Sequence, residues 1–127
     1  MFDRDQDIKK EKAGVELYLR RTGGGYKKLS SNDVDFRILG ENNSLIGYAE
    51  VKVLDTMMKG SFPLSVDARK IIKLRDKRLS AVMIWHCIDG IFYLPVESLT
   101  GEIKWSEETG ELTIYCSNKK LFKYVKS

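Results

Sequence analysis

The sequence predicts an α/β domain, a mixed β-sheet flanked by helices. Three observations carry that expectation. An apolar stripe at helical spacing opens the chain, two alternating extended runs follow, and a second helical stretch separates them from the strongly apolar run "AVMIWHCI". A hairpin, a helix and another buried strand in that order imply a sheet with helices packed on it. The strand after the second helix should join by a right-handed crossover.

The elements follow in order. Ile8, Val15 and Leu19 recur at helical spacing and predict a helix over residues 4–21. "TGGGY" ends it, because consecutive glycines do not continue a helix cheaply. "DVDFRIL" and "LIGYAEVKVL" are extended runs split by "GENNS". Asn tolerates positive φ, so Asn42-Asn43 marks a hairpin turn. "MKGSFPLS" reads as a loop, with Ser65 capping a helix from about Val66 to Leu79 and Asp67 in its first turn. "AVMIWHCI" is a buried strand, Asp89-Gly90 a tight turn, and "IFYLPVESL" the returning strand. "GEIKW" and "ELTIY" form a last hairpin around "SEETG".

The 127 residues fit one domain, long enough to bury a core without a disulfide or structural metal. No apolar run is long enough to cross a bilayer, and "MFDRDQDIKK" does not resemble a signal peptide. The expected setting is cytoplasmic, in a bacterial or virus-infected host cell, with no membrane partner. Cys87 and Cys116 lie in apolar runs outside any CxxC spacing, so both read as reduced core residues rather than zinc ligands. The net charge is +4 and the pI about 9.0, with cations gathered in "KKLS", "ARKIIKLRDKR" and "KKLFKYVK". Such patches suit a phosphate backbone, and equally serve as solvated faces.

The first hairpin brings the chemistry together. A turn at Asn42-Asn43 sets Asp35 opposite Glu50 and Asp33 opposite Lys52. Directly opposed Cβ atoms of an antiparallel pair lie about 4.5–5.5 Å apart. Two carboxylates so close repel unless something positive sits between them. A divalent cation answers that need, since Mg²⁺ takes one or two carboxylates and completes its shell with water and phosphate oxygens. Val34, Phe36, Ile38, Val51 and Val53 fall on one side, and Asp35, Glu50 and Lys52 on the other.

An acid opening a strand ("VDF"), a hairpin and then Glu-x-Lys ("AEVKV") resembles the PD-(D/E)xK nuclease superfamily. The resemblance runs over roughly residues 8 to 94, with an upstream helix carrying a Glu and a basic helix after the Lys strand. It is nearest in appearance to small Holliday-junction-resolvase-type and phage nucleases. Val34 stands where the family name has Pro. The resemblance implies a restriction-endonuclease-like fold and Mg²⁺-dependent hydrolysis of DNA phosphodiester bonds, with Mn²⁺ able to substitute. It implies 5′-phosphate products and a homodimer, for which residues around "IFYLPV" are the candidate surface.

By that resemblance Asp35 and Glu50 are the metal ligands, joined by the backbone carbonyl of Val51. Asp33 is the competing acid. Lys52 orients or deprotonates the attacking water and steadies charge on the phosphate; its plain alternative is a strand lysine paired to Asp33. Glu11 falls close to the apolar stripe of the first helix and Glu16 to its side, so Glu11 is the preferred helical acid. Arg69, Lys70 and Lys73 are candidates for phosphate contacts. "EIK" at 102–104 and "DIK" at 7–9 repeat the spacing without a matched acid. His86 reads as a satisfied structural residue, and Trp85, Phe92 and Tyr93 as packing. The terminal "KKLFKYVKS" either clamps a nucleic-acid strand or docks on the body. Two rival functions stand beside the nuclease: a non-catalytic nucleic-acid-binding module of the same fold, and an interaction protein with no nucleic-acid role.

Overall fold

The structure, a computed structural model, describes residues 4–28, 36–75 and 79–127, with side chains from residue 8 onward. Helix α1 spans Arg4–Thr22 and stops at its glycines. Gly23 adopts a φ of 80°, and its N–H donates to the Leu19 carbonyl at 2.7 Å. A positive φ there is cheap only for glycine. The next residues, Gly25–Lys28, form strand β1, where the sequence suggested only a basic patch. Tyr26 explains it by packing edge-on against Phe36, ring centroids 5.6 Å apart.

Strand β2, Phe36–Leu39, buries Phe36 and Ile38 and exposes Arg37, the period-two pattern of a half-covered strand. Asn42 and Asn43 both sit at φ 59° and turn the chain into β3, Leu45–Val53. The pairs Phe36↔Ala49, Arg37↔Tyr48 and Ile38↔Gly47 are in the register that the sequence predicts. A bulge between Ile38 and Leu39 shifts Leu39 onto Leu45. Asp33, Val34 and Asp35 lie outside the described residues.

The stretch after β3 departs from expectation. Leu64–Asp67 is a strand, β4, and the helix α2 is the shorter Ala68–Arg75. Leu64 and Val66 are buried, alternating with Ser65 and Asp67, so the period here is two. Asp67, not Ser65, stands at the helix start, its carboxylate accepting the Arg69 N–H at 2.9 Å.

Strand β5, Ser80–Cys87, lies parallel to β3. It turns through Ile88 and Asp89, one residue earlier than expected, into β6, Gly90–Pro95. Strands β7, Glu102–Ser106, and β8, Glu111–Cys116, form the expected hairpin, and β8 also pairs with β4. The chain end supplies β9, Lys123–Lys126, against β6. Among the described residues the result is a six-stranded mixed sheet, ordered β1-β2-β3-β5-β6-β9, and a three-stranded sheet, β4-β8-β7.

The large sheet is covered on both faces. On one, α1 packs Val15 and Leu17 over Phe36, Ile38, Ala49, Val51, Val82, Ile84 and Ile91. Gly14 permits the approach, because a Cβ there would sit 3.3 Å from Val51 Cγ1 and 3.2 Å from His86 Cβ. On the other face, α2 and the small sheet bring Ala68, Ile71, Leu74, Leu64, Val66 and Ile114 onto Met83, Trp85 and Leu94. Being buried on both sides, β5 needs an apolar run rather than alternation.

Two peripheral expectations resolve here. "IFYLPV" is not an exposed surface: Ile91, Tyr93, Leu94 and Val96 are buried, and β9 covers the strand's edge. The terminal segment docks on the body, with Phe122 inserted among Trp85, Phe62 and Phe92. Cys87 and Cys116 are free, buried thiols. No helix among the described residues is long and apolar enough to cross a membrane.

Candidate functional site

Strand β3 alternates between two interiors. Ala49 and Val51 point to the α1 side, while Glu50 lies beside Met83 and Lys52 beside Trp85, both of which face the α2 side. The face carrying Glu50 and Lys52 is therefore covered, and Glu50 is only 3% exposed. Among the described residues it is the sole charged side chain in the buried class. A buried carboxylate costs several kcal/mol, of order, unless a partner offsets it.

The partner comes from α2. Lys70 Nζ lies 2.9 Å from Glu50 Oε1, and its own side chain is 57% exposed. Lys52 is held differently. Its ammonium donates to the Ser65 carbonyl at 3.0 Å and to Ser65 Oγ at 2.8 Å. The same carbonyl accepts the Trp85 indole N–H at 2.9 Å. Burial lowers the Lys52 pKa, and the positive Lys70 nearby lowers it further, while Glu111 and Glu108 pull the other way. Arg69 stands next to Lys70, 3.7 Å from both Asp67 and Glu111. Lys73 is exposed on the same helix.

The structure thus brings together Glu50, Lys52 and Lys70, with Arg69 adjacent to Lys70 on α2. Glu11 is half-buried on α1, the helix that packs on the other face of the sheet against Val51 and His86. The neighbouring Lys10 carbonyl lies 2.7 Å from His86 Nδ1, which satisfies the histidine. Glu16 is exposed and accepts the Tyr26 hydroxyl at 2.8 Å. Asp35 lies outside the described residues. Sequence alone does not single out Ser65 and Glu111 as neighbours of Lys52, since the strand that carries Ser65 is only four residues long and Glu111 lies far along the chain. Their signal was a lysine in mid-strand, whose ammonium needs acceptors when covered.

Among the described residues no three His, Cys, Asp or Glu side chains gather in a metal-holding group. The oxygen donor that the structure places at the centre is the Glu50 carboxylate, already paired with the Lys70 ammonium. The ammonium already seated on Glu50 shows that this carboxylate holds a positive charge. Compared with known proteins, the chain matches no family model, no curated protein and no solved structure.

Proposed function

We propose that the protein is a Mg²⁺-dependent nuclease that hydrolyses DNA phosphodiester bonds, with Mn²⁺ able to substitute. The single observation that supports this most is Glu50. A carboxylate in the interior of a central strand, with a half-buried lysine two residues on, weakens folding and needs another purpose. The supporting frame is a hairpin in the expected register, followed by a basic helix whose Lys70 sits on that carboxylate, with Arg69 next to it on Asp67 and Glu111.

Glu50, with the Val51 carbonyl and Asp35 that the resemblance implies, would hold the cation, which would supply Lewis acidity toward the phosphate and lower the pKa of a water. The chain's own groups do the rest. Lys52 gives two of its three N–H donors to Ser65, which fixes the ammonium, and the third can serve water or phosphate. Its lowered pKa eases loss of a proton, as a group that assists deprotonation of water requires. Arg69 and Lys73 lie on exposed turns of α2, where they can meet the phosphate backbone. A domain of this size has little surface for reading bases, so recognition rests on DNA shape, such as junctions, branches or ends.

The test is cleavage of nicked, branched and single-stranded DNA with Mg²⁺ or Mn²⁺. Glu50→Ala and Lys52→Ala should each abolish cutting while circular dichroism remains native. Salt-sensitive DNA binding without cutting on any substrate would favour the non-catalytic module instead.

A further inference from the structure

We propose that the outer edge of β7 is a homodimer surface, on which a second copy of the chain pairs antiparallel about Ile103 and joins the two small sheets into one. The inference does not rest on the nuclease reading, and it uses a different surface from the buried "IFYLPV" segment.

Among the described residues β7 has a neighbour on one side only, β8, so its other edge turns backbone donors and acceptors outward. Val66, Ile114 and Ile103 stand opposite one another on β4, β8 and β7 and form one row across the core-facing side of the small sheet. Burial stops before the row does. Val66 and Ile114 are buried, whereas Ile103 is 59% exposed. Trp105, the next residue on that side, is 64% exposed, and Leu112 opposite it is exposed as well. Tryptophan is highly buried on average and is enriched where partners bind. Large apolar groups gathered beside an open strand edge mark a contact surface.

The charge order of the strand identifies the occupant. Glu102, Ile103 and Lys104 read acid, apolar, base, and the two charged groups lie 3.2 Å apart, exposed on the other side of the sheet. Two antiparallel copies centred on Ile103 set Glu102 of each opposite Lys104 of the other, which gives two attractive cross-strand pairs. Ile103 meets its own counterpart, so the apolar row runs on from one copy into the next. Trp105 falls opposite Gly101, which has no side chain to obstruct the indole, and diagonal to Ile103 of the second copy. Moving the axis by one residue, to Lys104, would oppose two lysines. The sequence of the edge therefore favours one register with itself. Such an isologous contact consumes the same edge of both chains and closes at two copies.

The experiment is sedimentation velocity of the full chain across the micromolar range at low salt, on wild type, Glu102→Lys, Lys104→Glu and the double swap. Trp85 is buried, so acrylamide quenching of the tryptophan fluorescence reports Trp105 alongside. Wild type should dimerise as its concentration rises, and the quenching should fall with it. Each single swap makes both cross-strand pairs repulsive and should weaken the dimer about tenfold. The double swap restores both pairs and should recover wild-type association. The side chains changed are exposed, so all four proteins should keep one circular dichroism spectrum. A wild type that stays monomeric throughout overturns the proposal; quenching of Trp105 in that monomer by single-stranded DNA would assign the face to nucleic acid instead. A dimer that neither single swap weakens, or that the double swap fails to restore, overturns it as well, because the chains then meet elsewhere or in another register.

Discussion

Removing the two ends of the Glu50–Lys70 pair should have unequal effects on stability, measured with a chelator present. Lys70→Met leaves a carboxylate that is 3% exposed without its ammonium. Breaking a buried pair from one side costs roughly 3–5 kcal/mol. Here one partner is more than half in water, so the interaction is already partly screened, and about 2 kcal/mol is the reasonable figure. For a chain of this length that corresponds to a drop of about 8 °C in melting temperature. Glu50→Gln removes the buried charge itself and lets Lys70 rehydrate, so its cost should stay below about 1 kcal/mol. The double variant should match Glu50→Gln within about 0.5 kcal/mol, since no pair remains to break. Urea denaturation followed by circular dichroism reads all three. A Glu50→Gln variant less stable than Lys70→Met would refute the reasoning, because it would mean that the acid does not carry the burial penalty.

Three more outcomes follow from other parts of the fold. Phe122→Ala should cost about 3–5 kcal/mol, as for other large aromatic truncations, and should release β9 to rapid amide exchange; a loss below about 1 kcal/mol would show that the ring cluster does not hold the strand. Burial, with the Glu16 hydrogen bond, pushes the Tyr26 pKa from 10.0 up to about 12. The folded state then keeps that proton more tightly, so its contribution is complete below pH 10 and is lost as pH rises toward 12; Tyr26→Phe should flatten the stability curve in that window, and an unchanged curve would exclude the phenol. Burial raises the pKa of both Cys87 and Cys116, so a thiol-disulfide reagent at neutral pH should label neither until urea is added; rapid labelling of the native protein would contradict their placement.

What was legible in the sequence was whatever periodicity alone decides. The α1 stripe, the two asparagines of the hairpin and the uninterrupted run of β5 each specify an element locally. Their combination specified the register that sets Phe36 against Ala49. What escaped was decided by partners far along the chain. Gly25–Lys28 and Leu64–Asp67 are too short to declare themselves, and become strands only because β2 and β8 supply ladders for them. Without β4 in view Ser65 reads as a helix cap, whereas its carbonyl ties Lys52 and Trp85 together. The covered state of the charged face was likewise unreadable, since alternation marks two sides of a strand without saying which is wet. Glu11 illustrates the same limit: helical phase sets it close to the apolar stripe, but phase does not reveal which face of the sheet the helix covers.

Strand β3 serves two interiors at once, valines to one helix and charged groups to the other. A single inserted or deleted residue within it would exchange them, driving Glu50 and Lys52 into a hydrocarbon interior and exposing Val51 to the basic helix. Length variation is therefore barred from this strand. Diversification of the site must come through substitution in α2 or through the β7–β8 hairpin, which can lengthen at its tip without disturbing strand parity.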